Sequence, residues 1–96
     1  MLVPWYQHEM KKTPKTITRV QTGVRIEKRI LKVLKVVAEQ KDISLGDLLE
    51  GIVLHAFEGK TAFGDESLAM IADTKKLFGL DLTAADSHKL LESDLD

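Results

Sequence analysis

Residues 28–53, KRILKVLKVVAEQKDISLGDLLEGIV, contain two helical patterns separated by a short polar turn. From about 28 to 41, apolar side chains recur at the spacing that places them on one face of a helix, namely Ile30, Leu31, Val33, Leu34, Val37 and Ala38. From about 45 to 58 the same spacing continues with Leu45, Leu48, Leu49, Ile52, Val53, Ala56 and Phe57. Gly59 follows, at a position where glycine commonly ends a helix. The stretch therefore predicts two helices that pack through their apolar faces.

The turn between these helices has suitable residues for ending one helix and starting the next. Asp42 tolerates unusual backbone dihedral angles, and the Ser44 hydroxyl can cap the second helix. Asp47 lies three residues after Ser44, which is the spacing of a capping box. A turn over residues 42–44 is therefore predicted.

Residues 17–26, immediately before the first helix, alternate in the manner of a β-strand. One face would carry Val20, Thr22, Val24 and Ile26, and the other Arg19, Gln21, Gly23 and Arg25. A single strand has no second strand in the chain to bond its N–H and C=O groups. The predicted solution is a homodimer in which two such strands pair antiparallel across a twofold axis, with the apolar face on a shared helical core.

The remaining residues flank this unit on both sides. Residues 1–15 contain both prolines and no periodicity, so a flexible arm is predicted, with Trp5 and Tyr6 as side chains that would anchor it to protein. A third helix is predicted over 65–78, and Thr83 with Asp86 begins a short fourth helix. The expected organisation is an arm (1–15), a domain (16–59) and an acidic helical extension (60–96) in a mainly α-helical chain.

Charge is distributed unevenly although the net charge is only −1. Residues 1–45 contain ten Lys and Arg against four Asp and Glu, whereas residues 46–96 contain four against eleven. A basic half can attract a polyanion, and an acidic half would oppose unspecific coating of nucleic acid. Ordinary solvated surface charge is the alternative interpretation.

No pattern in the chain is typical of an enzyme. There is no cysteine, and His8, His55 and His88 are not at metal-ligand spacing. A Ser/His/acid set and a phosphate-binding glycine loop are also missing, so no catalytic residue, cofactor or metal is predicted. The apolar runs are too short for a membrane span and the N-terminus has no signal-peptide core, so we expect a soluble, cytoplasmic protein.

The order strand, helix, serine-containing turn, helix resembles the ribbon-helix-helix DNA-binding family, the Arc and methionine repressor type. The resemblance covers about residues 17–58 and is carried by VRIEKRILKVLKVVAEQKDISLGDLLEGIV, with Ala38 late in the first helix and Ser44 opening the second. It implies an obligate homodimer, a repressor-like transcription regulator, whose ribbon enters the major groove of double-stranded DNA. It further implies base contacts from the outward strand positions, Arg19, Gln21, Gly23 and Arg25, and a phosphate held by backbone N–H groups at Ser44, Leu45 and Gly46.

Side-chain chemistry agrees with these implied contacts. Arg25 can pair with guanine and Gln21 with adenine, each discriminating by roughly 1–3 kcal/mol. Lys28 and Arg29 occupy a first helical turn, where a cation costs about 0.3–1 kcal/mol, so they are candidate phosphate contacts. The alternative interpretation is that Lys28 and Arg29 are solvated surface side chains without a ligand.

Residues 60–96 lie outside the resemblance. An antitoxin-like or other protein-interaction module without DNA binding, using this extension to hold a protein partner, is the second hypothesis. In a third interpretation, the extension only covers apolar surface.

Overall fold

The structure, a computed structural model, describes residues 14–93 and contains three α-helices. They are α1 (Lys28–Lys41), α2 (Leu45–Phe57) and α3 (Asp65–Phe78), followed by a 3-10 turn at Ala84–Asp86. The three predicted helices are thereby confirmed, and the predicted fourth helix is only this turn. Most of the predicted arm (1–15), including Trp5 and Tyr6, lies outside the described residues.

Helix α1 is the centre of the fold, because it packs against both α2 and α3. It supplies three of the four buried apolar side chains, Val33, Val37 and Ala38, and Leu48 of α2 supplies the fourth. Partly buried side chains surround them, namely Leu34, Ile43, Ile52, Phe63, Met70, Ile71, Phe78 and Leu80. Residues beyond position 60 therefore share one core with α1 and α2.

Local signals in the sequence set the helix ends. Asp42 adopts the left-handed conformation (φ 61°), and the next amide, that of Ile43, donates to the Ala38 carbonyl at 3.0 Å. The Ser44 hydroxyl accepts from the Asp47 amide at 3.1 Å and so caps α2. Gly79 closes α3 in the same left-handed conformation, with φ 66°.

The predicted strand over 17–26 is wrong. None of the described residues forms a strand, and residues 14–27 have no regular secondary structure. The predicted fold, a ribbon-helix-helix homodimer with an intermolecular two-stranded antiparallel ribbon, is therefore corrected to a mainly α-helical chain. The physical reason is that this segment has no neighbouring strand in the chain to bond its N–H and C=O groups. Alternating apolar and polar side chains do not replace those hydrogen bonds.

More large apolar side chains are exposed than buried in the described part of the chain. Only four apolar residues are buried among residues 14–93. The exposed ones are Ile17, Val20, Val24, Val53, Leu54, Phe57, Leu68, Leu77, Leu90 and Leu91. Scattered exposed leucines are ordinary, but neighbouring ones on a single helix are typical of an interaction surface.

Because α1 is central to the core, truncation of two adjacent valines on this helix should cost very different amounts of stability. Val37 is only 1% exposed, whereas Val36 is half-buried on the same helix. Val37→Ala should lower the free energy of unfolding by about 2 kcal/mol, through lost burial and the cavity left behind. Chemical denaturation measures this, with Val36→Ala as the control of equal helix propensity; equal losses would contradict the packing described.

Candidate nucleic-acid interface

Three lysines follow the exposed face of α1, opposite the side chains that enter the core. Lys28, Lys32 and Lys35 are separated by four and three residues, so they lie on one face of the helix, and all three are exposed. We call them the lysine stripe. The Lys32 ammonium lies 5.7 Å from the centroid of the Phe78 ring, an arrangement that orients it by cation–π attraction. Glu39 follows on the same face and ends the run of positive charge.

Glu27 caps α1 with its side chain. Its Oε1 accepts from the Arg29 amide at 2.8 Å and from the Ile30 amide at 2.9 Å, and its Oε2 accepts from Arg29 Nε at 3.0 Å. Partial burial raises the pKa of Glu27, but the hydrogen bonds from Ile30 and Arg29 outweigh it, and the pKa lies below its ordinary value. Sequence reasoning gave Glu27 no role; the available signal was an acidic residue directly before a helical pattern.

Arg29, a predicted phosphate contact, joins the start of α1 to the end of α3. Its Nη1 donates to the Gly79 carbonyl at 2.8 Å and to Asp81 Oδ1 at 3.2 Å. The hydrogen bond to Glu27 is the main reason that the pKa of Arg29 is raised. A guanidinium at the carbonyl end of α3 also complements the helix dipole. The structure therefore gives Arg29 a bridging role within the protein.

Arg19 lies beside the first turns of α2. Its Nε and Nη2 each donate to one oxygen of Glu50 at 2.8 Å, which forms a bidentate ion pair. The hydrogen bond from Arg19 lowers the pKa of Glu50. The start of α2 also carries the predicted backbone phosphate contacts, of which Leu45 is half-buried and Ser44 and Gly46 are exposed. The Ser44 hydroxyl is already occupied by its cap bond.

Arg25 lies at a different place, in an open groove of about 1290 Å³ between the start of α1 and the C-terminal segment. We use "C-terminal segment" for residues 87–93 and "α1 groove" for this depression. The guanidinium of Arg25 donates to both carboxylate oxygens of Glu92. Apolar side chains complete the groove, including Val24, Ile26, Leu31, Leu82, Leu90 and Leu91.

The predicted site residues are thus divided between two places. Arg19 is bound to Glu50 in the second turn of α2, the helix that Ser44, Leu45 and Gly46 open, and Arg25 lies with Lys28 and Arg29 near the start of α1. Gln21 and Gly23 are exposed in the segment between Arg19 and Arg25. Since that segment forms no strand, the predicted common face of Arg19, Gln21, Gly23 and Arg25 is also corrected. The lysine stripe beyond Lys28 was missed, although its helical spacing was visible in the sequence.

Comparisons with protein-family models, with curated proteins and with solved structures give no match. Within residues 14–93, no three His, Cys, Asp or Glu side chains are grouped so that they would hold a metal ion. In the same range, every helix is too short or too polar to cross a bilayer.

Because Glu27 caps α1 with an ionised carboxylate, its contribution to the free energy of unfolding should depend on pH. Because the folded pKa of Glu27 is lowered, its stabilisation is complete above the ordinary carboxyl pKa and is lost as pH falls through the lowered value. Glu27→Gln should cost about 0.3–1 kcal/mol near neutral pH, where the carboxylate is ionised at the helix N-terminus. The difference from the unmodified protein should shrink in acid.

Denaturant unfolding at several pH values measures this difference. Glu39→Gln makes the same charge change on the exposed face of the same helix and is the control. Identical pH profiles for the two variants would contradict the capping role.

Proposed function

We propose that this protein is a non-enzymatic, homodimeric transcription regulator that binds double-stranded DNA through the lysine stripe and the basic residues preceding it. The observation that carries the proposal is the free positive face of α1. Within residues 14–93, Lys28 and Lys35 have no ion-pair partner. Solvated, unpaired ammonium groups suit the phosphate backbone, because binding releases the counterions of DNA.

The length of the stripe suits a duplex. Lys28 and Lys35 are seven residues apart, which corresponds to about 10 Å along an α-helix. A duplex presents one negative charge per roughly 1.7 Å of its axis, so about six charges lie along that length. Lys15 precedes the stripe in the chain and has no ion-pair partner within residues 14–93, whereas Arg19 and Arg25 are paired with Glu50 and Glu92. Lysine contacts of this kind provide affinity, and sequence preference would depend on contacts to base edges, for which Gln21 is a candidate.

Self-association is supported by an uncovered apolar face on α2. Val53, Leu54 and Phe57 are 43%, 63% and 79% exposed, and Val53 and Phe57 are one helical turn apart. The ion pair between Arg19 and Glu50 holds the preceding segment beside this helix. Ile17 and Val20, within two residues of Arg19, are exposed as well.

A second copy of the chain covers such a face with an identical face, which is the isologous contact of a twofold dimer. A dimer would also present two lysine stripes to DNA. A DNA-bound role agrees with the cytoplasmic location expected from the sequence.

The second candidate is an antitoxin-like protein-interaction module that uses residues 60–96. Exposed leucines in this part of the chain favour it, because Leu77, Leu90 and Leu91 are all solvent-accessible. Under this hypothesis, serine in place of Leu77, Leu90 and Leu91 would abolish partner capture without removing core residues. We rank it second because these leucines lie on different elements, whereas the lysine stripe is continuous on one helix.

DNA binding is tested by fluorescence anisotropy with a mixed-sequence duplex over a range of salt concentrations. Lys28→Ala combined with Lys35→Ala should weaken binding to all sequences. It should also reduce the salt dependence, the slope of log K against log salt, by about 1.8 per chain, for two lost phosphate contacts.

The matched control combines Lys75→Ala with Lys76→Ala, an equal loss of charge on two lysines of α3 that also have no ion-pair partner within residues 14–93. An equal effect of the control would contradict the assignment to α1. Absence of binding by the unmodified protein at micromolar concentration and low salt would contradict DNA binding altogether.

Self-association is tested by sedimentation. The unmodified protein should sediment as a dimer, and Leu54→Ser combined with Phe57→Ser should shift it to monomer by making the apolar face polar. Leu77→Ser, an exposed leucine on α3, is the control and should leave the dimer intact. A folded monomer at every concentration of the unmodified protein would contradict the proposal.

A further inference from the structure

Each described arginine is bound by a carboxylate of the same chain. Arg19 pairs with Glu50, Arg25 with Glu92, and Arg29 with Glu27 and Asp81. A guanidinium presents its parallel N–H groups to a carboxylate and to a phosphate in the same geometry. The edge of a guanidinium that a carboxylate occupies cannot also hold a phosphate, and the carboxylate charge weakens the attraction of the remaining N–H groups for a second anion, so the two ligands compete.

The three arginines differ in how readily the carboxylate can leave. Arg29 also donates a hydrogen bond to the Gly79 carbonyl and is partly buried, so its position is fixed by the fold. Glu50 is part of α2, and its backbone cannot withdraw without disturbing that helix. Arg25 and Glu92 are different, because their side chains are 84% and 64% exposed and neither residue belongs to a helix.

The C-terminal segment that carries Glu92 is held to the rest of the protein by little apolar burial. Leu90 is exposed by half and Leu91 almost fully. A segment with few buried contacts opens at low cost, without unfolding the core. Its departure would uncover Arg25 beside Lys28, because both residues line the α1 groove.

We propose that Glu92 acts as an internal competitor of DNA phosphate: the C-terminal segment neutralises Arg25 in the free protein and is displaced when DNA binds. This inference rests on the proposed DNA binding. It assigns Glu92 a function, which is to lower the affinity of Arg25 for a polyanion until a duplex also engages the lysine stripe.

The effect on affinity is modest and measurable. An exposed ion pair is weak, so its removal should tighten duplex binding by about twofold to fivefold at constant salt. Glu92→Gln keeps the size of the side chain and removes its charge. Glu58→Gln is the matched control, because it removes the same charge from another exposed ion pair, the one with Lys60.

Anisotropy titration of a duplex is the first test. Glu92→Gln should bind more tightly than the unmodified protein by that factor, and more tightly than Glu58→Gln. In an Arg25→Ala background, Glu92→Gln should gain no more than Glu58→Gln does. If the unmodified protein binds DNA and both Gln variants gain equally, the competition is overturned while DNA binding stands. If the unmodified protein binds no DNA, the proposed function itself fails.

Backbone NMR of residues 87–93 is the second test. In the free protein, Arg25→Ala should shift the amide signals of the C-terminal segment, because the ion pair is lost. Addition of duplex to the unmodified protein should move the same signals in the same direction. Binding of DNA with these signals unchanged would overturn the displacement.

Discussion

The buried face of α1 is the constraint on which the whole structure depends. Val33, Val37 and Ala38 on this face contribute most of the core, and α2 and α3 both pack against the helix that carries them. Because one side of α1 is committed to packing, its opposite side must face solvent, and the lysine stripe occupies that side. The same helix therefore organises the core and presents the candidate DNA-binding surface.

Charge in this chain is handled in two distinct ways. The three arginines of residues 14–93 are bound to carboxylates of the same chain. The ion pairs Arg19–Glu50, Arg25–Glu92 and Arg29–Asp81 each connect segments distant in sequence. Lys28 and Lys35, by contrast, have no ion-pair partner within residues 14–93. Exposed ion pairs are individually weak, so the arginine contacts orient segments more than they stabilise the fold. The lysines remain the groups that a polyanion meets first.

Local signals in the sequence were sufficient to predict all three helices. Apolar spacing, Ser44 at the start of α2 and Gly79 after α3 act within a few residues, so their effects can be derived without tertiary structure. The strand prediction for residues 17–26 was wrong, because alternating side chains form a strand only beside a neighbouring strand, which the chain does not supply. The pairs Arg19–Glu50 and Arg25–Glu92 span 31 and 67 positions, and no local pattern connects residues so far apart. Both pairs place predicted base-contacting arginines on protein carboxylates.

Amide NMR of the protein during titration with a duplex shows directly whether the proposed DNA-binding surface is the exposed face of α1. The largest chemical-shift changes should lie at Lys28, Lys32 and Lys35 and in the residues just before them. Amides of α3 that face away from α1 should change little. Changes concentrated on α3, or no changes at saturating duplex, would contradict DNA binding through α1.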